Sequence, residues 1–349
     1  MPDVEFRSCR VSGVACTVPR NAVSTAELAT RIGVGASRVE ALTGIRSRRV
    51  APPSMCASDL CADAACRLLA ALGWSPDSIQ ALVFVSQSQD YFLPATACLL
   101  QQRLGLPTDT ACIDVSLGCS GYVYGLATTY GLVEAGVERA LLLVGDTSSR
   151  RVSEEDRSVC FLFGDSGSAT AIERAPCRST FVLGTDGRGA DRLIIPAGHS
   201  RHPIPPASCE RAAGPDGNRR GPHELFMDGP EVMAFTMREV PPLLTRLLER
   251  SQLERKDLDL LLLHQANRFV TDQLADRLGV SRELVPSSVE RLGNTSCASI
   301  PVTMAECCHD PLSMSSRQVA LLGFGVGWSW AGCATRMGPI CIPPVGELD

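Results

Sequence analysis

Three short polar stretches each interrupt the end of an apolar run: Gly118-Cys119-Ser120-Gly121, His264-Gln265-Ala266-Asn267 and Gly293-Asn294-Thr295. Cys119 follows the run 111–115 and precedes Tyr122, Val123, Leu126, Ala127, Tyr130 and Leu132. That spacing predicts a short buried strand, a tight turn and a buried helix, with Cys119 near the helix N-terminus. Free backbone N–H groups and the positive end of the helix dipole favour a thiolate there. The glycines let another backbone or a substrate come close. Taken alone, Cys119 reads as one structural cysteine among 16, and the other two stretches are what raise its standing.

His264 ends a run of four leucines and is one of only five histidines. An imidazole buried there without a partner is costly, so it must have one. The three residue types suit one another chemically. A thiolate takes an acyl group from a thioester at little energetic cost. An imidazole N–H and an Asn294 amide N–H can donate to one carbonyl oxygen. Two such donors stabilise an enolate, which is what a malonyl thioester becomes on losing CO2. Backbone N–H groups of Cys119 and of the Gly325, Val326, Gly327 loop would form a second oxyanion site, for a tetrahedral adduct on the sulfur.

The elements that must position these residues alternate in type. Residues 4–18 read as a strand, Ser58 to Leu72 as an amphipathic helix stopped by Gly73, 81–86 as a buried strand and 94–104 as a helix. ALLLVGD (140–146) is another buried strand, and FLFGDSGSATAIE (161–173) a glycine turn between two extended pieces. A helix from 231 to about 253 carries Pro241-Pro242, which predicts a kink or break. Strands follow at 258–264 and 319–332. An offset of 179 residues superposes 79–88 on 258–267, the Cys119 corner on Ala298, and 141–146 on 320–325. This predicts a duplicated α/β unit, with mostly parallel buried sheets. The halves are 1–178, carrying the cysteine, and 179–349, carrying the histidine and asparagine. A Pro/Gly/Arg-rich surface excursion covers about 187–228.

Composition narrows the function class. The chain has 349 residues, 45% hydrophobic and 20% charged, with a net charge of −5. It is globular, and it lacks the basic stripe that marks nucleic-acid binding. No apolar run is long enough for a membrane span, and the first residues lack a signal-peptide core. A cytoplasmic location with reduced cysteines is expected. The spacings of the cysteines and histidines build no metal site. Arginines at 46–49 form either a local anion or carrier-protein patch or a solvated loop.

Seven segments carry a resemblance: TGIRSRR (43–49), LPATACLLQQRLGL (93–106), DVSLGCSGYVYGL (114–126), FLFGDSGSA (161–169), LLHQAN (262–267), RLGNTSCASIP (291–301) and GFGVGWSWAG (323–332). In this order they resemble the thiolase superfamily, and within it the β-ketoacyl-ACP synthase III group of condensing enzymes. The resemblance implies a five-layered αβαβα fold of two fused halves, and a homodimer. It implies acyl and malonyl thioesters, on CoA or acyl carrier protein, as partners, with no cofactor. It makes Cys119 the acylated nucleophile and His264 with Asn294 the decarboxylation and condensation pair. Phe324 to Gly327 resembles the loop beside the active site, with Phe324, Asn267 and Leu93 as substrate-pocket candidates. Arg46 and Arg268 are candidates for carrier or pantetheine contact.

Departures from the family pattern bear on the substrate. Arg38 and Leu42 stand where acetyl-CoA-primed relatives place the Trp and Arg that clasp adenine. Val326 replaces a frequent Gly. Leu93 replaces a Phe that crosses the dimer interface, and Phe269 replaces a basic docking residue. They point to a non-acetyl acyl donor in specialised, fatty-acid or polyketide-type metabolism. Two other functions compete with condensation. One is acyl transfer from the cysteine to an oxygen, nitrogen or carrier thiol. The other is a non-catalytic partner subunit of a condensing heterodimer.

Overall fold

The computed structural model describes residues 2–203 and 210–349, so residues 204–209 of the excursion lie outside the described residues. Eleven strands build two large sheets: β1 (Asp3–Phe6), β2 (Cys9–Pro19), β3 (Ala81–Val85), β4 (Ala111–Val115), β5 (Arg139–Asp146), β6 (Ser166–Arg174), β7 (Ser179–Thr185), β8 (Leu260–Leu263), β9 (Arg317–Gly325), β10 (Ser329–Met337) and β11 (Gly346–Leu348). One sheet has the order β11-β2-β6-β5-β3-β4, the other β1-β7-β10-β9-β8. The run β2-β6-β5-β3 matches β7-β10-β9-β8 in order and in relative direction. This is the repeat that the 179-residue offset detects.

Five layers follow from the side-chain alternation of these strands. Val83, Val85, Leu142, Val144, Leu262 and Leu321 point between the sheets. There they pack on the helices Gly121–Glu134 and Ser299–Cys307. Leu82, Phe84, Leu141 and Leu143 point outward beneath the helices Ala57–Leu72 and Thr96–Arg103. Leu261, Leu263, Ala320 and Leu322 point outward beneath Gly229–Ser251 and Arg268–Leu278. Gly121 and Gly125 let the nucleophile's helix lie on its sheet, since a Cβ at either would come within 2.8 or 2.6 Å of Val85.

Several expectations are corrected. Both sheets are mixed rather than mostly parallel, because β9 returns directly into β10 and β5 pairs antiparallel with β6. The strand expected over 4–18 is two strands in different sheets. β1 therefore joins the sheet of the second half and β11 that of the first, so both chain ends cross the division at residue 178. β4 is a partly exposed edge strand, not a buried one. Of the two extended pieces expected over 161–173, only β6 is a strand; Phe163 contributes a single bridge, to Asn294. The helix Gly229–Ser251 runs through Pro241-Pro242 unbroken. Its other face buries Leu243, Leu244, Leu247 and Leu248, and that packing outweighs the ~3 kcal/mol cost of interior proline. Among the described residues no helix is long and apolar enough to cross a membrane.

Candidate active site

Cys119 sits between β4 and the helix Gly121–Glu134, almost wholly buried. The end of β9 passes directly against it. A Cβ at Gly325 would lie 2.6 Å from the Cys119 Cβ and 2.8 Å from its sulfur, and one at Gly323 would lie 2.9 Å from the Ser120 Cα. The loop after β9 is tied down by Ser329, whose hydroxyl donates to the Val326 carbonyl at 2.8 Å and pairs with the Ser120 hydroxyl at 2.6 Å. Backbone N–H groups of Val326 and of Cys119 itself face the sulfur and favour its thiolate. Burial is the larger effect, and it pushes the thiol up to about 12. Burial thus works against the thiolate that the helix terminus and these N–H groups favour. The cause is desolvation in a site closed by Gly325 and Val326.

His264 continues the β8 ladder, its N–H donating to the Leu322 carbonyl at 2.8 Å. The partner that burial demands is Ser299, whose Oγ lies 2.8 Å from Nδ1 and also accepts the Gln265 N–H at 3.3 Å. Phe324 packs edge-on against the ring, centroids 5.5 Å apart. Burial lowers the imidazole to about 3, with the Ser296 backbone pulling slightly the other way. His264 is therefore neutral throughout the ordinary working range. Asn294 is held through its backbone, by Leu162 at 2.8 Å and Gly164 at 3.0 Å. Its side-chain Oδ1 accepts the Ser296 N–H at 2.9 Å, which leaves the amide N–H groups free to donate. Gly293 supplies the left-handed turn before it, at φ 66°.

Two cavities meet at Cys119. The first is lined by Cys119, His264, Asn294, Asn267, Phe324 and Gly325, among others. The second also reaches Cys119, and its lining includes neither His264 nor Asn294. Phe163 and Leu193 line both. Leu193, Ile195, Leu225 and Met227 come from the 187–228 excursion, so this segment walls the site. It is held there by the Leu225 N–H on the Arg151 carbonyl at 2.6 Å, by Arg220 on the buried Asp156 at 2.8 Å, and by Arg211 on Glu155 at 3.3 Å.

The remaining expected residues divide. Asn267 lines the first cavity and also caps the helix Arg268–Leu278, accepting the Val270 N–H at 2.9 Å. Val326 lines the second cavity and Gly325 the first, while Gly327 lines neither. Leu93 lines neither cavity. It is 82% exposed beside exposed Tyr91 and Phe92, because its loop projects from the chain. Arg46 and Arg268 are exposed, paired with Glu290 and Asp272, both at 3.2 Å. They are near neighbours, since Arg268 packs against Gly44. Arg38 and Leu42 line a separate surface cavity with Arg157 and Phe161.

Sequence reasoning missed Asp146, Ser299, Gln87 and Arg151. Asp146 is buried at the end of β5 and accepts from the Ser86 hydroxyl (3.0 Å), the Gln87 N–H (2.7 Å) and the Ser88 hydroxyl (3.0 Å), with the Cys297 thiol on its other oxygen at 3.1 Å. It thereby joins the wall of the second cavity to the Asn294 segment. Its signal was present: it ends an apolar run, as His264 does.

Two family models match this chain: 3-oxoacyl-[acyl-carrier-protein] synthase III over residues 113–187, and the C-terminal part of that synthase over 248–337. A β-ketoacyl-[acyl-carrier-protein] synthase III from Caldanaerobacter subterraneus is 31% identical over 330 residues, which are 93% of this chain and 97% of that protein. The chain belongs to the β-ketoacyl-ACP synthase III family. Among solved structures, a 3-oxoacyl-(acyl-carrier protein) synthase from Burkholderia xenovorans matches at 40% identity and a TM-score of 0.93, over 99% of both chains. The priming β-ketosynthase of a polyketide pathway matches at 29% identity and a TM-score of 0.81, over 97% of this chain and 98% of its own. The fold is thus the thiolase fold, and the chain is an acyltransferase of the condensing type. Of the two matched segments, the first contains Cys119 and the second contains His264 and Asn294.

Proposed function

We propose that this chain condenses a Cys119-bound acyl group with a malonyl thioester, with His264 and Asn294 as paired donors to the malonyl thioester oxygen. The observation that carries the reading is the shared cavity, in which the buried thiol faces a neutral imidazole and an asparagine whose amide oxygen is already occupied. In the first step the Cys119 sulfur forms a new thioester bond, the donor's carbon–sulfur bond breaks, and the thiol proton passes to the leaving thiolate. Malonyl thioester then enters. Its carboxylate leaves as CO2 and the electron pair moves into an enolate, whose oxygen accepts from the His264 ring N–H and the Asn294 amide N–H. The enolate carbon attacks the acyl carbonyl. The resulting oxyanion meets the N–H groups of Cys119 and Val326, and collapse releases the β-keto product and the Cys119 thiolate.

Neutral His264 suits this role, because its Nε2–H donates without first losing a proton. The matching tautomer has the Ser299 O–H donating to Nδ1. Ser299→Ala is expected to lower decarboxylation of a malonyl thioester about tenfold, roughly one hydrogen bond to a positioned group, while the acyl adduct on Cys119 still forms. Ser299→Thr is expected to restore most of the rate. Equal losses in acylation and decarboxylation would assign Ser299 to packing instead.

The donor is read as a non-acetyl thioester, on a carrier protein or CoA. An acidic carrier helix would meet exposed Arg46 and Arg268, next to Asn267 at the first cavity. The partner copy of a homodimer would cover Tyr91, Phe92 and Leu93. Intact-protein mass spectrometry with a panel of acyl thioesters, chased with malonyl thioester, tests the condensation. An adduct on Cys119 that the chase discharges as a β-keto product with CO2 supports it. An adduct that only alcohols, amines or carrier thiols discharge would replace it with simple acyl transfer.

A further inference from the structure

The second cavity has polar as well as apolar lining. Its apolar part, Phe163, Leu193, Ile195, Leu225 and Val326, surrounds the approach to Cys119. Gln87, Thr147, Ser148 and Arg151 also line the cavity; Thr147 is buried and Ser148 half-buried, while Gln87 and Arg151 are exposed. Among the described residues the side chains of these four make no hydrogen bond or ion pair, and none is occupied by an interaction left unnamed. The surrounding arginines are committed elsewhere: Arg150 to the carbonyls of Pro52 and Pro53, Arg192 to Asp228, Arg220 to Asp156. Arg151 is the exception, and its backbone is fixed by Leu225 so that the residue stays in this lining. The one acidic group in the lining, Asp146, already receives two hydroxyls, a backbone N–H and a thiol.

Malonyl thioester must lie beside His264 and Asn294, in the first cavity. The acyl group on Cys119 is therefore left the second. A plain alkyl tail there would strip water from Thr147 and Ser148 and give them nothing in return, at a cost for each. An acyl group ending in a carboxylate would cross the apolar part and meet a guanidinium fork, an amide and two hydroxyls. We infer that the acyl donor is the mono-thioester of a dicarboxylic acid, its free carboxylate received by Arg151 with Gln87 and Ser148. The inference rests on the condensation reading, since it assigns the acyl half of that reaction. No further reactant is needed. The Cys119 sulfur gains the acyl carbon, the donor thiol leaves with the Cys119 proton, and the distal carboxylate is unchanged.

The test compares glutaryl and pentanoyl thioesters, equal in carbon number, each on CoA and on free pantetheine. The readout is the second-order rate of Cys119 acylation by intact-protein mass spectrometry. The wild-type protein is expected to prefer glutaryl by about tenfold or more. Arg151→Leu is expected to lower the glutaryl-to-pentanoyl ratio by about 30-fold. Arg151→Lys keeps the charge and is expected to retain a preference for glutaryl, with less of it because the fork is lost. Each ratio is internal to one protein sample, so a partly folded variant does not distort it. A wild-type preference for pentanoyl, or a ratio that Arg151→Leu leaves unchanged, overturns the inference while leaving condensation intact. Failure of both donors to label Cys119 also overturns the inference, while the condensation reading falls only if no donor of the wider panel labels Cys119.

Discussion

Cys119→Ala is expected to abolish the acyl adduct and to lower condensation by on the order of 10^4-fold or more, as loss of a covalent nucleophile does. The expected profile is more informative than the loss. Alanine at 119 leaves His264 and Asn294 untouched, so slow CO2 release from malonyl thioester should persist. In the wild-type protein, the acylation rate should climb with pH and reach no plateau by pH 9. The sign follows from the raised thiol: with Cys119 near 12, the thiolate fraction grows about tenfold for each pH unit below that value. Stopped-flow or quenched mass spectrometry of adduct formation across pH 6–9 measures it. A plateau near pH 7 would mean that substrate binding, or a base, lowers the thiol far more than Val326 and Cys119 N–H groups do in the free protein.

His264→Ala and Asn294→Ala carry the second large effect. Each removes one donor to the enolate oxygen, and each is expected to slow decarboxylation and condensation by about 10^2 to 10^3-fold, roughly 3–4 kcal/mol of transition-state stabilisation. The adduct on Cys119 should still form in both variants. The double variant should lose much less than the product of the two, because the donors act on one oxygen. Since His264 stays neutral down to about pH 3, the wild-type condensation rate should show no limb from this histidine above pH 5. Measuring CO2 release, β-keto product and adduct separately resolves the roles. Condensation within threefold of wild type in His264→Ala would remove the imidazole from the enolate site. Loss of the adduct would instead attach it to the thiol.

The strands and their repeat were legible in the apolar runs and the 179-residue offset, while the five layers were implied by the family resemblance. Strand direction was less legible. Apolar runs such as 140–146 look alike in parallel and antiparallel ladders, and the loop between β9 and β10 is what makes that pair antiparallel. The helix through Pro241-Pro242 misled for a related reason, since proline's local cost is visible in a sequence and the leucine packing that outweighs it is not.

By itself the sequence singled out the candidate trio and the chemistry those residue types suit. Cys119 and His264 each follow a strand end, and Asn294 follows the short helix Val289–Leu292 rather than the expected strand; a polar group in such a place needs a reason. Only the tertiary structure decided their electrostatics and their neighbours. A helix N-terminus argues for a thiolate from local dipoles, whereas burial by Gly325 and Val326, some 200 residues away in the chain, works against it. Ser299 on His264, Asp146 beside Cys297, and Arg151 in the lining of the second cavity carry no local signal of their partners. Hydrogen bonding and desolvation act across a few ångströms of space, and the chain brings those atoms together only when both sheets are folded.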